Sequence, residues 1–574
     1  VSLISELKRR KVFKVGGAYL VAGWLAIQVA TSVLPLYGTP DWFLRAFVLV
    51  VLLGFPIALV MAWVFDITPD GVKLDAASNG SKRVFAASAV LIFFALGWYF
   101  HGMTATRDAE KSPKGAAAAP AVVAADAHSI AVLPFVDMSQ SKDQEYFSDG
   151  LSEELLNLLA QVPQLRVIAR TSSFSFKGKE VDVATIAKAL NVANVLEGSV
   201  RKSGNTLRIT AQLIRTSDSS HLWSQTYDRE LTDIFKVQDE IANAVVTALK
   251  VQMLPNQTLT NAHHSNNAEA YNQYLLGNQF YNRQNPENWR RAVEAYRQAI
   301  ALDPNYAAAY AGMASAQGFL ADNSGDRAAM QQAMATADKA VTMAPELPDG
   351  YVTRGINRLS FNKDWAGAQA DLEKALALNS SDSAAQIGYG RLLIALGKLP
   401  EAIAASRKSV DLDPLSAVAW SQHGRFLNAS GQFTFARQAL SRALEISPES
   451  EYSLFHLGET DLLEGKAQDA LASFRQAGAY GPAGMAMAQY SLGHATESQQ
   501  ALNEQIAKYA QGAAYQVAEV YAWRGEKDKA FEWLDRAYAQ HDGGLSFFKA
   551  DPLIAKLRSD PRYAAMLKKL GLPE

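Results

Sequence analysis

The sequence predicts a multi-domain chain: transmembrane α-helices, then a small α/β sandwich, then an all-α solenoid of helix pairs. Three observations predict it. Three mostly apolar runs lie in the first hundred residues, short strands and amphipathic helices follow from residue 128, and a thirty-four-residue period governs much of the rest.

At 574 residues the chain is too long for one core. Lys+Arg is 55 and Asp+Glu is 57, a balance that gives no support for nucleic acid as the main partner. There are no cysteines, which excludes disulfides, thiol catalysis and cysteine-ligated metals.

The apolar runs span about 15–37, 43–67 and 84–100. At 1.5 Å per residue each approaches the ~30 Å of a bilayer's hydrocarbon layer. Trp42, Trp63, Trp98 and Tyr99 lie near their ends, where aromatic rings favour the interface. Residues 1–100 therefore read as a membrane anchor, and lipid bilayer as a partner. Lys8, Arg9, Arg10, Lys11 and Lys14 precede the first run, and Lys73, Lys82 and Arg83 lie between the second and third. The positive-inside bias puts the amino terminus in the cytoplasm and everything after Phe100 outside. The alanine- and proline-rich stretch 101–127 reads as a linker.

Residues 128–253 read as a βαβαβββα domain. Ile130–Val136 is a β-branched apolar run. Leu151, Leu155, Leu158 and Leu159 keep helical spacing. Leu165–Ala169 is a second strand and Val183–Leu190 a second helix. Leu207, Ile209, Ala211 and Leu213 alternate with Arg208, Thr210 and Gln212, so one face is buried, and Gly204-Asn205 supplies a hairpin turn. Leu222–Tyr227 is a further strand, and Ile234–Val251 closes the domain as an amphipathic helix. The stretches Ala131–Phe135, Asp149–Leu156, Leu196–Arg201 and Leu222–Arg229 resemble the TolB amino-terminal-like domain, also found in flagellar outer-membrane assembly lipoproteins. Glu6–Phe13 and Gly54–Ala58 resemble a companion membrane region. The resemblance implies a bacterial architecture of inner-membrane anchor, TolB-like domain and helical repeats, with the residues after Phe100 in the periplasm. A winged-helix or adenylate-cyclase domain often precedes that anchor, and the residues before the first run leave no room for one. No catalytic residue carries over.

Residues 254–267 form a polar connector, expected to leave few contacts between the soluble parts. From 268 to 548 the repeats take over. Gly390, Gly424 and Gly458 recur every thirty-four residues, as do Gly397, Gly431 and Gly465, and Ala402, Ala436 and Ala470. The first set suits close helix crossings and the second a positive-φ turn. Pro414 and Pro448 separate units. With Trp420 and the Ala/Tyr/Ala/Pro series at Ala292, Tyr296, Ala299 and Pro304, the pattern resembles the tetratricopeptide repeat. Asp461 stands where that family has an aromatic. Residues 549–574 are expected to cap the array through Leu553, Leu557, Tyr563, Met566 and Leu570.

Motifs of chemistry are absent: Gly-x4-Gly-Lys-Ser/Thr, Gly-x-Ser-x-Gly and His-Glu-x2-His do not occur. His263-His264 reads as a solvated linker pair, His541-Asp542 as turn residues, and Glu153-Glu154 as helix surface. No catalytic, cofactor or metal residue is assigned, and no enzyme is expected. Aligned on the tetratricopeptide pattern, Arg391, Arg425 and Asn428 fall on groove positions, where two guanidinium groups and an amide can hold a carboxylate. The function expected is a membrane-anchored periplasmic scaffold that binds proteins or peptides through this groove and the TolB-like domain. The alternative is a transmembrane receptor acting on a separate cytoplasmic protein.

Overall fold

The computed structural model describes residues 12–33, 47, 51, 54–55, 65–68 and 71–74, and then 126–573 save 141, 143, 205, 231–232, 252–264, 266, 284 and 325. The chain divides into two compact units, Val1–Val123 and Ala124–Glu574.

In the first unit, helix α1 (Val12–Val33) is followed by the antiparallel pair β1 (Phe65–Thr68) and β2 (Gly71–Leu74). The Tyr19 hydroxyl donates to the Val51 carbonyl at 2.9 Å. Here the expected fold class is corrected. Among the described residues no helix is long and apolar enough to cross a membrane. Helix α1 carries Lys14, Gln28, Thr31 and Ser32. The end of the second run, Phe65–Ile67, is strand and turns straight into a hairpin. Most of the second run, the third run and the linker 101–125 lie outside the described residues. The inner-membrane placement, with its cytoplasmic amino terminus and periplasmic remainder, therefore loses its support.

The second unit opens with β3 (Ser129–Val132), β4 (Val136–Asp137), α2 (Glu145–Ala160), β5 (Arg166–Val167), α3 (Arg170–Phe174) and α4 (Val183–Leu190). The long strands β6 (Asn194–Ser203), β7 (Thr206–Arg215) and β8 (His221–Glu230) and helix α5 (Ile234–Ala248) complete the domain. The strand order is β5-β3-β6-β7-β8, with β4 also on β6. Strand β3 runs parallel to both neighbours, whereas β6, β7 and β8 form an antiparallel meander. The alternation on β7 holds: Leu207, Ile209, Ala211 and Leu213 are buried. On its wet face Arg208 reaches Asp228 at 2.7 Å and Thr210 meets Thr226 at 3.1 Å. Gly204 turns the hairpin with φ +58°. The short helix α3 was not expected.

An α-helical array follows: α6 (Ala268–Tyr281), α7 (Pro286–Leu302), α8 (Ala307–Ser324), α9 (Arg327–Met343), α10 (Pro348–Asn357), α11 (Trp365–Leu378), α12 (Ser383–Ala395) and α13 (Leu399–Leu412). It continues as α14 (Ala417–Ala429), α15 (Phe433–Ile446), α16 (Glu451–Leu463), α17 (Ala467–Phe474), α18 (Gly481–Ser491), α19 (Ala495–Tyr509), α20 (Ala514–Arg524) and α21 (Lys527–Ala539), and ends with α22 (Pro561–Lys569). The glycine periods have the expected causes. A Cβ on Gly390, Gly424 or Gly458 would lie 2.7, 2.5 and 2.7 Å from Phe426, Leu440 and Phe474. Gly397, Gly431 and Gly465 hold φ of 78°, 75° and 79° in the turn of each pair. The odd Asp461 is buried and paired with Arg437 at 2.8 Å.

The two parts of this unit share one core. Ala270, Tyr271 and Leu275 of α6, with Ala299, Tyr306 and Ala309, join the cluster that holds Leu151, Leu155 and Val245 of the α/β domain. Gln238 donates to the Tyr271 hydroxyl at 2.9 Å, and Phe235 meets that ring edge-on at 4.8 Å. A Cβ on Gly150 would sit 2.5 Å from Leu275, so α2 and α6 approach to glycine distance. The few contacts expected between the soluble parts are thus replaced by a common apolar core. Most of the connector, His263-His264 included, lies outside the described residues.

Candidate functional site

The α/β domain meets the array a second time, at the turns that separate its third, fourth and fifth helix pairs. Its β5–α3 corner docks on the turns between repeats. The Ala169 amide donates to the Leu412 carbonyl at 2.8 Å. Ser172 donates to Asp413 from its amide at 3.1 Å and its hydroxyl at 2.5 Å, and its Oγ accepts from the Leu415 amide at 2.8 Å. Ser381 Oγ donates to the Leu165 carbonyl at 3.2 Å. Burial pushes the Asp413 carboxyl up to about 6, against the hydrogen bonds from Ser172 that lower it. Ser172→Ala is expected to cost about 1–3 kcal/mol, because it strips a half-buried amide and a buried carboxylate of one partner each. Urea unfolding of the variant measures this, and a loss below about 0.5 kcal/mol, ordinary for a surface position, would count against the corner as a structural tie.

Between the two contacts lies a cavity of about 1100 Å³. One wall is α2 and α3 of the α/β domain. The other is built from the array's first helices of each pair, the face on which tetratricopeptide arrays present their groove. The lining holds six carboxylates, Glu153, Glu154, Glu346, Asp349, Asp382 and Asp413, against one cation, Arg170. Arg170 is engaged by Glu153 at 2.8 Å and lies 4.1 Å over the Phe174 ring.

The carboxylates are not alike. Asp382 caps α12 by accepting from the Ala385 amide at 2.9 Å, and burial raises its carboxyl against that bond. Glu154 is 6% exposed. Asp349 stands in the first turn of α10, where the helix dipole favours a negative charge. Among the described residues no cation pairs with it. Its side chain is exposed to the cavity, yet the walls around it desolvate the carboxyl and, with the charges of Asp382 and Glu153, push it up to about 6.

Aromatic rings fill the other end. Trp289 stacks on Phe319 at 5.0 Å and 16°. Tyr274 and Tyr306 tilt together at 5.0 Å, both held as neutral phenols first by burial and then by the charge of Glu154. Phe319, Val418 and Tyr480 are 48%, 55% and 46% exposed, and the surface they expose lines this cavity. Two polar atoms on its wall are buried without a partner, the acceptor Oε1 of Gln422 and the donor Nε1 of Trp289.

The groove residues expected from the repeat pattern lie elsewhere. Arg425 donates to the Tyr452 hydroxyl at 3.0 Å, and its guanidinium rests 3.2 Å over the ring of Phe547. Asn428 is 1% exposed; its amide donates to the His456 carbonyl at 3.0 Å and accepts from Thr460 at 2.9 Å. Arg391 donates to Ser360 at 3.3 Å. The chain's own carboxyl-terminal segment covers Arg425, so the three side chains serve internal contacts here. Sequence reasoning took Glu153-Glu154 for solvated helix surface. Each instead faces the array across the cavity. A signal existed in the spacing of α2, where Glu154 follows the leucine stripe rather than opposing it.

Residues 126–244 match a family model described as the HilA/YgeH-like transcriptional regulator, second domain, and residues 355–417 match the tetratricopeptide repeat. Residues 355–417 are thus similar to the tetratricopeptide repeat. The first match bears a different name from the TolB resemblance. The putative adenylate cyclase 3 of Rhizobium meliloti (strain 1021) is 34% identical over 260 residues, 44% of this chain and 43% of that protein. Human tetratricopeptide repeat protein 6 is 29% identical over 140 residues, 24% of this chain and 27% of that protein. The chain thus spans less than half the length of these relatives. A solved structure of PilW, described as a widely conserved type IV pilus biogenesis factor, is 19% identical, with 37% of this chain and 97% of that one covered at a TM-score of 0.31.

Proposed function

We propose that this chain is a non-enzymatic interaction scaffold, and that its binding site is the composite cavity between the α/β domain and the concave face of the array. A tetratricopeptide array is a protein- and peptide-binding architecture, and solenoids bind along their concave face. The observation that supports the composite site is the set of large apolar side chains, Phe319, Val418 and Tyr480, left about half exposed inside the cavity. At about 1100 Å³ the cavity lies at the upper limit of small-molecule pockets, which run to about 1,000 Å³. That size suits a segment of polypeptide. The relative named as an adenylate cyclase matches over less than half its length, and its activity is not transferred.

The test is selection of a displayed random-peptide library on the full chain, repeated on Val418→Trp. Val418 is 55% exposed into the cavity, so the larger ring fills the space without entering the core. Peptides retained by the parent chain are expected to be lost on the variant. Equal retention by both, or no enrichment on either, would overturn the reading.

A further inference from the structure

We infer that the cavity between the α/β domain and the array is selective for a cationic polypeptide segment, one carrying lysine or arginine in an extended run. This deepens the scaffold reading and rests on it. Four features of the wall point the same way. First, the charge is one-sided. Six carboxylates line the cavity; Glu153 engages the single lining guanidinium, Arg170, and Glu346 lies 3.7 Å from Lys374, which is not part of the lining. An anionic ligand would find no cation without breaking that pair. Second, Asp349 sits at a helix start and faces the cavity, and among the described residues no cation pairs with it, whereas Asp382 caps a helix and Asp413 ties Ser172.

Third, the aromatic end suits a cation as well as an apolar stem. Trp289 stacked on Phe319 presents a flat π-face, and the tyrosines at 274, 281 and 306 stay neutral. Rings of this kind attract an ammonium or guanidinium group, and lysine and arginine stems cover apolar surface while the charged head stays polar. Fourth, a cavity of about 1100 Å³ is larger than one small molecule fills and suits a run of several residues, whereas a bare polyamine would leave most of it open.

The test uses the full chain and three probes: a fluorescein-labelled octapeptide of alternating alanine and lysine, the same peptide with glutamate for lysine, and spermidine as competitor. The lysine peptide is expected to bind at least tenfold more tightly than the glutamate peptide, and spermidine to displace it only weakly. Asp349→Asn with Asp382→Asn should weaken the lysine peptide at least tenfold. Asparagine keeps the helix cap at 382, so the melting temperature should hold. Quenching of tryptophan emission by the peptide should disappear in Trp289→Phe, which places the peptide in the cavity. Preference for the glutamate peptide, or undiminished binding by the double variant, would overturn the charge assignment while leaving the scaffold reading intact. Displacement by equimolar spermidine would overturn the peptide part. Failure of every peptide, including the library of the preceding test, would remove the scaffold reading itself.

Discussion

Phe548→Ala is expected to lower stability by about 3–5 kcal/mol, the usual range for emptying a fully buried phenylalanine site. Phe548 is 0% exposed and stacks on Tyr563 at 4.6 Å. It belongs to the segment after α21 that turns back into the array. Its neighbour Phe547 takes Arg425 over its ring, 3.2 Å from the centroid, and meets Phe426 at 6.1 Å. Beyond it, the Leu570 carbonyl accepts from Trp365 Nε1 at 2.8 Å across 205 residues. One apolar cluster consequently runs from Leu359 and Trp365 of the middle repeats to Leu570 and Leu572. Emptying the Phe548 site should loosen both ends of that cluster together. Urea unfolding of the full chain is the measurement. A loss under about 1 kcal/mol would show that the segment merely lies against the array. The same geometry changes what Arg425→Ala is worth. Read as an exposed groove residue it should leave stability almost untouched, but beneath Phe547 its removal also opens packing.

What the sequence made legible follows from which forces are periodic along the chain. The glycine triplets at 390, 424 and 458 and at 397, 431 and 465 are repeated solutions to a repeated contact, so period alone located both the helix crossings and the turns. The alternation from Leu207 to Leu213 likewise fixed which face of β7 is buried. Contacts made once carry no period. Nothing near Ser172 or Asp413 announces that 241 residues of chain bring them to 2.5 Å. Nothing around Trp365 marks Leu570 as its acceptor. The carboxylates of the cavity are distributed in the same way: each has an ordinary local reading, as a cap, a helix start or a surface pair. Only the superhelical path of the array gathers them. The second apolar run misled at its end for a related reason. Hydropathy measures what a segment avoids, and it cannot see that Phe65–Ile67 is spent in a hairpin with Val72–Leu74.

Glu519→Gln is expected to stabilise the chain at alkaline pH and to leave it almost unchanged in acid. Glu519 on α20 and Asp551 in the returning segment are 6% and 5% exposed and share a hydrogen bond. The Tyr515 hydroxyl donates to Asp551 at 2.7 Å, and the Leu553 amide does so at 2.7 Å. Burial, and then the charge of Asp551, hold the Glu519 carboxyl well above the usual range, so it keeps its proton and donates. Burial and then Glu459 raise Asp551 as well. Arg425 is the nearby cation acting on Glu519. His456 bonds Glu459 at 2.5 Å, and burial lowers its pKa, which keeps it neutral. The sign follows from linkage. A carboxyl whose folded value lies above its unfolded one favours the folded state fully at low pH, and that advantage is lost as pH rises through the folded value. For one proton the loss is at most about 1.4 kcal/mol per pH unit. Glutamine retains the donor to Asp551 and cannot ionise, so its stability should fall less steeply. Unfolding free energies of both chains at pH 6, 7.5 and 9 decide the matter. Parallel declines would show that Glu519 titrates normally and that no shared proton fastens the carboxyl-terminal segment to α20.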